Sequence, residues 1–452
     1  MSDSVAPAPS NRWAKSLKIY AKPIMLSMLI LGFASGLPLM MVFQKLSFWL
    51  RAEGIDRSTI GFIYWVTIAY TIKWMWSPAA DRLAIPFLTK KLGRRRSWML
   101  VAIAGTMVGL VIIGFSKPSE ALWVTLLGAF ILAYSGATLD ISIDAWRIES
   151  AENDNQANMA AAYVMGYRGA IMFAGFGLAI AEWTSWQFSF SVMALTMGST
   201  AILILFMKEP ERDPSAVIPA MPFGQRLIAM IVEPLKQFAV RLGPWIVPVF
   251  ILITIYRMSD FTMGIMASPL YADIGYGGDI IGGIQSGPGI LATIIGGFSG
   301  GLIAYRFGVL PAMVVGGLIT FATNGAYAWL AHTGVPDVGV PPEAWRAAVA
   351  IVGDNIAGGF VGTVFIAYLS SLTDPANAAT QYAVLSSIYA FVNKFLAGFS
   401  GVLADAVGYV NFFLITAAYA IPATLLVVLI IIFGSPAAKG QAPTAQPVKT
   451  DA

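Results

Sequence analysis

A small set of ionisable side chains sits inside long apolar runs, and their chemistry needs explaining first. Asp140, Asp144 and Arg147 are spaced four and three apart, which puts them on one face of a helix. Arg257 and Asp260 are three apart, Asp354 precedes Asn355, and Lys73, Arg168 and Lys394 are isolated charges. Lys45 follows Gln44 near the end of the first run. A charge in hydrocarbon is costly, so each is expected to face a cavity, a partner or a ligand. Lys45, close to a span end, is expected to snorkel to the interface.

The chain has no cysteine and one histidine, His332. Thiolate metal sites and cysteine nucleophiles are therefore excluded, and proton chemistry within the membrane falls to carboxylates. No phosphate loop, His/Cys metal cluster or nucleophile elbow is present. No catalytic residue, metal or cofactor is expected, and the missing nucleotide site argues against a self-sufficient ATP-driven pump.

Counting from the start of its run near Ala121, Asp140 lies about 28 Å along a helix. Two uses stay open for it. Either it titrates and couples protons to movement of a cargo, or it joins Asp144 and Arg147 in a gate with Arg82 or Arg95; the gate is favoured for Asp144 and Arg147. Arg168 lies about 16 Å into the next run and is suited to holding a carboxylate, either Asp140 or one on a ligand. Arg257 and Asp260 read as an internal ion pair or as one that opens to a ligand's carboxylate or amine. Asp354 and Asn355 are similar ligand candidates, as are Lys73 and Gln44. Sugar ligands favour aromatic faces beside hydrogen-bonding groups, which adds Tyr64, Tyr167, Gln285, Tyr389 and Asn393.

The elements that must position these groups are apolar runs of membrane-spanning length. The 452-residue chain is 57% hydrophobic and 12% charged, too little charge to cover a soluble protein of this size. Spans are expected near 24–50, 59–80, 97–116, 121–143, 157–181, 187–207, 244–271, 279–304, 309–331, 346–371, 378–404 and 410–434. The layout is an N-terminal arm over 1–23, a six-helix bundle over 24–207, a polar linker over 208–243, a second bundle over 244–434 and a tail over 435–452 whose composition reads as disordered. The first run is too long for a signal peptide's apolar core.

Nineteen of the 28 Lys and Arg residues fall on one side of this layout, four on the other and five inside spans. This places both termini in the cytoplasm. The net charge of +4 needs no nucleic acid to account for it. The halves also repeat: Ala174–Glu182 matches Ala397–Asp405, and Asp81-Arg82 corresponds to Tyr305-Arg306, at nearly one offset. A duplicated six-helix unit gives two bundles of the same orientation, related by a pseudo-twofold axis, with a ligand site between them.

The loop after the second span, Asp81-Arg82 followed by Gly93-Arg94-Arg95-Arg96, resembles the major facilitator loop signature with a longer insertion between its two parts. Asp81, Arg82 and Arg95 then read as a cytoplasmic gate. Leu31-Gly-Phe-Ala-Ser-Gly-Leu-Pro-Leu39, Lys73 before Trp76-Ser77-Pro78, Asp140-Ile-Ser-Ile-Asp-Ala-Trp146, Gly166-Tyr-Arg168 and Ala379-Thr-Gln-Tyr-Ala383 narrow this. Together they resemble the AmpG muropeptide permease family. The resemblance implies a twelve-span, all-helical carrier in the bacterial inner membrane, working as a monomer by alternating access. It implies a proton symporter that brings N-acetylglucosaminyl-1,6-anhydro-N-acetylmuramyl peptides from periplasm to cytoplasm for cell-wall recycling, and in some bacteria induces β-lactamase. Some relatives have two further C-terminal spans. Other readings are a carrier of another large anion such as acetyl-CoA, a non-transporting receptor, or a membrane enzyme acting on cell-wall fragments.

Overall fold

The structure, a computed structural model, describes residues 22–77, 80, 83–150, 156–210, 233–334, 342–373, 378–436 and 438–440. All regular structure among them is helical. In chain order the α-helices are α1 (Pro23–Met40), α2 (Leu46–Ala52), α3 (Arg57–Ile63), α4 (Ala69–Ile72), α5 (Leu88–Leu92), α6 (Arg94–Phe115), α7 (Pro118–Ser150), α8 (Gln156–Trp183), α9 (Trp186–Phe206) and α10 (Glu233–Leu242). They continue with α11 (Ile246–Ile255), α12 (Met258–Ile274), α13 (Gly278–Ile284), α14 (Ile290–Phe307), α15 (Val309–Thr333), α16 (Ala344–Ser371), α17 (Ala378–Ala397), α18 (Ser400–Ala418) and α19 (Ala420–Phe433).

Ten stretches among the described residues are long and apolar enough to cross a membrane. The expected second and eleventh spans complete twelve. The second falls short because it is built of short pieces: α3, a 3-10 segment Tyr64–Ile68, α4 and a 3-10 segment Lys73–Met75. The eleventh is α17, which stops at Ala397. Gly408, at φ 75°, kinks the helix that resumes at Ser400, so one assigned stretch, Ser400–Phe433, holds the end of span eleven and all of span twelve.

The interruptions have local causes. Pro38 cannot donate the amide its turn needs, and three residues later the first span widens into a π-turn, Met41–Lys45. Pro288 sits inside the second such turn, Gln285–Gly289. Where helices break in hydrocarbon, the freed backbone groups must be satisfied by protein. Two adjacent side chains of α17 do this. Lys394 Nζ donates to the Thr67 carbonyl at 2.9 Å, inside the 3-10 segment, and Asn393 Nδ2 donates to the Thr254 carbonyl at 2.9 Å, where α11 gives way to α12.

The described residues group into two compact units. One takes in 1–46 with 73–217, the other 47–72 with 218–452. The end of span one and most of span two thus pack with the second unit, whereas the sequence kept them in the 24–207 bundle.

In the first unit α1 lies against α8, and α6 packs between α7 and α9. The α1–α8 contact is close because glycines face it. A Cβ on Gly166 would stand 1.8 Å from the Leu29 carbonyl oxygen, and one on Gly32 would stand 2.0 Å from that of Tyr163. No other residue permits that approach. In the second unit α16 packs on α14 and α15, α15 on α18 and α19, and α18 on α3. Asp56 caps α3 through the Thr59 amide at 2.7 Å, and Asp405 of α18 accepts from the Ser58 amide and hydroxyl at 3.1 and 2.6 Å. Partial burial would raise the Asp56 carboxyl, but the Thr59 hydroxyl and amide hold it below the usual range.

Residues 435, 436 and 438–440 begin the segment read as disordered, yet they are built onto the end of α16. The Tyr368 hydroxyl donates to the Ala438 carbonyl at 3.0 Å, and Ala438 is buried. The gate pair Asp81 and Arg82, most of the arm, the linker from 211 to 232 and the tail from 441 lie outside the described residues. The side chains of Ala379, Thr380 and Gln381 do too.

Candidate functional site

In the first unit the face of α7 that carries Asp140, Asp144 and Arg147 meets the end of span two and the α1–α8 pair. Asp140 has a different partner on each oxygen. Ser35 Oγ of α1 donates to Oδ1 at 2.5 Å, and Lys73 Nζ lies 3.3 Å from Oδ2. Lys73 also stands 3.7 Å from Asp144, and Arg147 stands 3.7 Å from Asp144 on its other side. Ser35 Oγ is in turn 2.6 Å from the Tyr163 hydroxyl of α8. Trp76 Nε1 donates to Thr138 Oγ1 at 3.1 Å, tying the turn after Lys73 to α7 two residues before Asp140. Two cations and two carboxylates thus form a chain, Asp140–Lys73–Asp144–Arg147, with a pair of hydroxyls attached to its first member.

Two expected pairings are not formed. Arg168 is exposed, and Lys73 takes the cation position beside Asp140. Helical geometry gives the reason: Tyr163 and Tyr167, four apart, turn one face of α8 toward α1, and Arg168 is the next residue round, off that face. Arg95 does not join Asp144 and Arg147 either. It is buried and bidentate to Glu149, at 2.9 and 2.5 Å. Glu149 lies two residues past Arg147 and so faces a different side of α7, toward the start of α6. Glu209 takes the amides of Arg95 and Arg96, capping α6 at 2.7 and 3.1 Å. Lys45 is buried at 1% exposure, so it does not snorkel; the π-turn it closes leaves it packed inside the protein. Gln44, in the same turn, is half-buried, and Tyr167 packs against Gly36.

In the second unit Arg257 and Asp260 form the expected pair at 3.1 Å, at the break between α11 and α12. Asp354 of α16 lies within electrostatic range of both. Asn355 is engaged in packing, accepting from Thr293 Oγ1 of α14 at 2.9 Å and donating to the Ile351 carbonyl at 2.7 Å. Tyr389 meets Phe365 edge-on at 5.0 Å. Asn393 is 1% exposed and spends its amide on the carbonyls of Thr254 and Tyr389. Tyr64 is buried in the 3-10 segment and Gln285 is half-buried in its π-turn. Among the described residues no three His, Asp or Glu side chains gather as a metal centre would.

The geometry is a chain of half-buried ionic side chains inside an apolar helical unit. The Major Facilitator Superfamily profile matches residues 24–397. The chain is 31% identical over 416 residues to a putative transporter AmpG 4 of Rickettsia conorii, covering 90% of this chain and 97% of that protein. It is 31% identical over 417 residues to an anhydromuropeptide permease of Escherichia coli, covering 91% and 81%. The chain belongs to the AmpG family of the major facilitator superfamily.

Solved major facilitator proteins share the fold. A D-xylose-proton symporter superposes with a TM-score of 0.68 at 13% identity over 93% of this chain and 99% of that one. A bacterial homologue of the lysosomal transporter Spinster, inward-facing and occupied, gives 0.68 at 14% over 94% and 99%. The AmpG-family chain is therefore a multi-pass membrane transporter for a small-molecule cargo. Its family strings are concentrated at the first unit's site. Leu31–Leu39 supplies Ser35 and the glycines beneath it, Lys73 and Trp76 form the second string, Asp140–Trp146 the fourth-span string, and Gly166-Tyr167 the close face of α8. Ser35, Tyr163, Glu149 and Glu209 were not singled out by sequence. The glycines flanking Ser35 were the available signal for it.

Proposed function

We propose that this transporter is a proton-coupled symporter that imports anhydromuropeptides, N-acetylglucosaminyl-1,6-anhydro-N-acetylmuramyl peptides, from periplasm to cytoplasm. It sits in the bacterial inner membrane, as a monomer, with both termini cytoplasmic. The cargo is supported by the Escherichia coli relative, whose name gives that substrate. The observation that carries the coupling is the contact of Lys73 with Asp140. A carboxylate in a spanning helix, held by one lysine, is stable as an ion pair. Once protonated it is neutral and releases the lysine, and neither state leaves an uncompensated charge on the carboxylate. Such a group can carry a proton across as the carrier changes its facing. Lys73, relieved of Asp140 and left with Asp144 alone, then suits an anionic cargo, which muropeptides are by their peptide carboxylates.

The test is uptake of labelled N-acetylglucosaminyl-anhydromuramyl tripeptide into liposomes holding the purified protein. An inward proton gradient should drive accumulation that a protonophore abolishes. Accumulation unaffected by the gradient would overturn the coupling, and absence of both uptake and counterflow for this cargo would overturn the substrate.

A further inference from the structure

Asp140 is reached by a chain of two hydroxyls that neither the family strings nor the charge pattern assigns a role. We propose that Tyr163 and Ser35 form the hydrogen-bonded path that delivers the proton to Asp140, a step that rests on reading Asp140 as the coupling carboxylate.

The directions of the bonds follow from counting hydrogens. Ser35 has one hydroxyl proton, and it points to Asp140 Oδ1 at 2.5 Å. The 2.6 Å contact between Ser35 Oγ and Tyr163 must then be donated by the tyrosine. The oxygens line up donor to acceptor: Tyr163, Ser35, Asp140. Lys73 occupies the other carboxylate oxygen, Oδ2, so Oδ1 is the one left to take a proton, and the path ends on it. Ser35 is buried and Tyr163 is half-buried, so the tyrosine is the end of the pair nearer solvent.

The step balances without a further reactant. A water-borne proton binds the Tyr163 oxygen, the original Tyr163 proton passes to Ser35, and the Ser35 proton passes to Asp140 Oδ1. One proton is taken from solution, the carboxylate becomes a carboxylic acid, and both hydroxyls end neutral with their bonds reversed. The other groups facing Asp140 are Lys73 and Asp144, with Arg147 behind Asp144, and Tyr167 within electrostatic range. Neutral Asp140 gives up its claim on Lys73, which keeps Asp144 at 3.7 Å as a carboxylate partner. The proton is thereby converted into a change of partner for the lysine. The α1–α8 glycine contact makes this possible, because Gly32 rests on the backbone of Tyr163 itself.

Tyr163→Phe removes only the hydroxyl, and Ser35→Ala removes the middle link. The probe is the labelled tripeptide-bearing anhydromuropeptide, with gradient-driven uptake and counterflow measured on the same proteoliposomes. Both variants should lose about tenfold or more in uptake rate at neutral external pH, with KM held within about twofold and counterflow retained. Because delivery is what fails, their rate should climb back as the external solution is acidified, while wild type changes little. Wild-type uptake and pH profile in both variants would overturn the path. So would loss of counterflow along with uptake in a variant that melts like wild type, since that marks a cargo contact. Asp140→Asn separates the two levels. If it still accumulates cargo in response to the gradient, the coupling assignment fails; if it loses the response while Tyr163→Phe and Ser35→Ala keep wild-type behaviour, only the path fails.

Discussion

At the scale of single residues, burial decides which ion pairs matter. Lys117 and Glu120 pair at 3.0 Å but are 68% and 67% exposed, so water and salt screen them and the pair contributes about 0–1 kcal/mol. Arg95 is 5% exposed and lays the Nε/Nη2 edge of its guanidinium on both oxygens of Glu149. Taking away the carboxylate strips a buried cation of its bidentate partner, a loss of up to about 3–5 kcal/mol. Glu149→Ala is therefore expected to lower the melting temperature of the purified protein sharply, and Glu120→Ala to leave it within about a degree, as read by scanning fluorimetry in detergent. Equal melting temperatures would mean Arg95 finds another partner and that Glu149 is not what anchors the start of α6 to α7. The same contrast separates two arginines of the first unit: Arg95, at the start of α6, fastens helix ends, while Arg147 of α7 belongs with Asp144 to the ion chain around Lys73.

At the scale of elements, the α1–α8 contact is where sequence becomes site. Gly166→Ala would drive a methyl into the Leu29 carbonyl at 1.8 Å, a backbone atom that can move only if the helices separate. Gly169, one turn on, would place its methyl 3.8 Å from the Phe33 ring, an ordinary contact. Gly166→Ala should therefore cost several-fold in folded yield and weaken transport by moving Tyr163 away from Ser35, while Gly169→Ala should be nearly neutral in both. Comparable losses from the two would show that the close approach is not what places the hydroxyls.

The apolar lengths and the glycine-rich strings were readable in the sequence because period and residue size carry them directly. The breaks were less so. Tyr64–Ile68 looks like any helical run, and its 3-10 winding becomes intelligible only with Lys394 beside it, 327 positions away in sequence. As a hydrogen-bonding group beside aromatic residues, Asn393 reads from sequence as a sugar contact; its actual partner at the α11–α12 break, the Thr254 carbonyl, is not carried by spacing. Depth alone suits Arg168 to a carboxylate, Asp140 or one on a ligand, but depth does not tell which way a helix is turned, and the facing of α8 is set by its glycines.

At the scale of the whole molecule, the face of the carrier that meets the periplasm depends on which way the twelve spans are threaded, and the distribution of basic residues is the guide to that. Arg12, Lys15, Lys18, Lys22 and the Lys90–Arg96 cluster lie on the side with nineteen basic residues, against four on the other. Short basic loops resist translocation, so the side richer in Lys and Arg is the one proposed to be cytoplasmic. The chain has no cysteine, so a single introduced thiol is the sole reactive one and reports its own side. Ser4→Cys and Thr450→Cys are expected to resist a membrane-impermeant maleimide applied to intact cells with a permeabilised outer membrane. They should react once the inner membrane is opened. Glu53→Cys and Lys117→Cys, in the connections after spans one and three, should react at once. The opposite pattern would reverse the threading and bring protons to the Tyr163–Ser35–Asp140 path from its other face, while a symporter would still carry cargo in the direction of the proton gradient. Labelling only one terminus would instead make the number of crossings odd, which twelve spans in two even sets cannot produce.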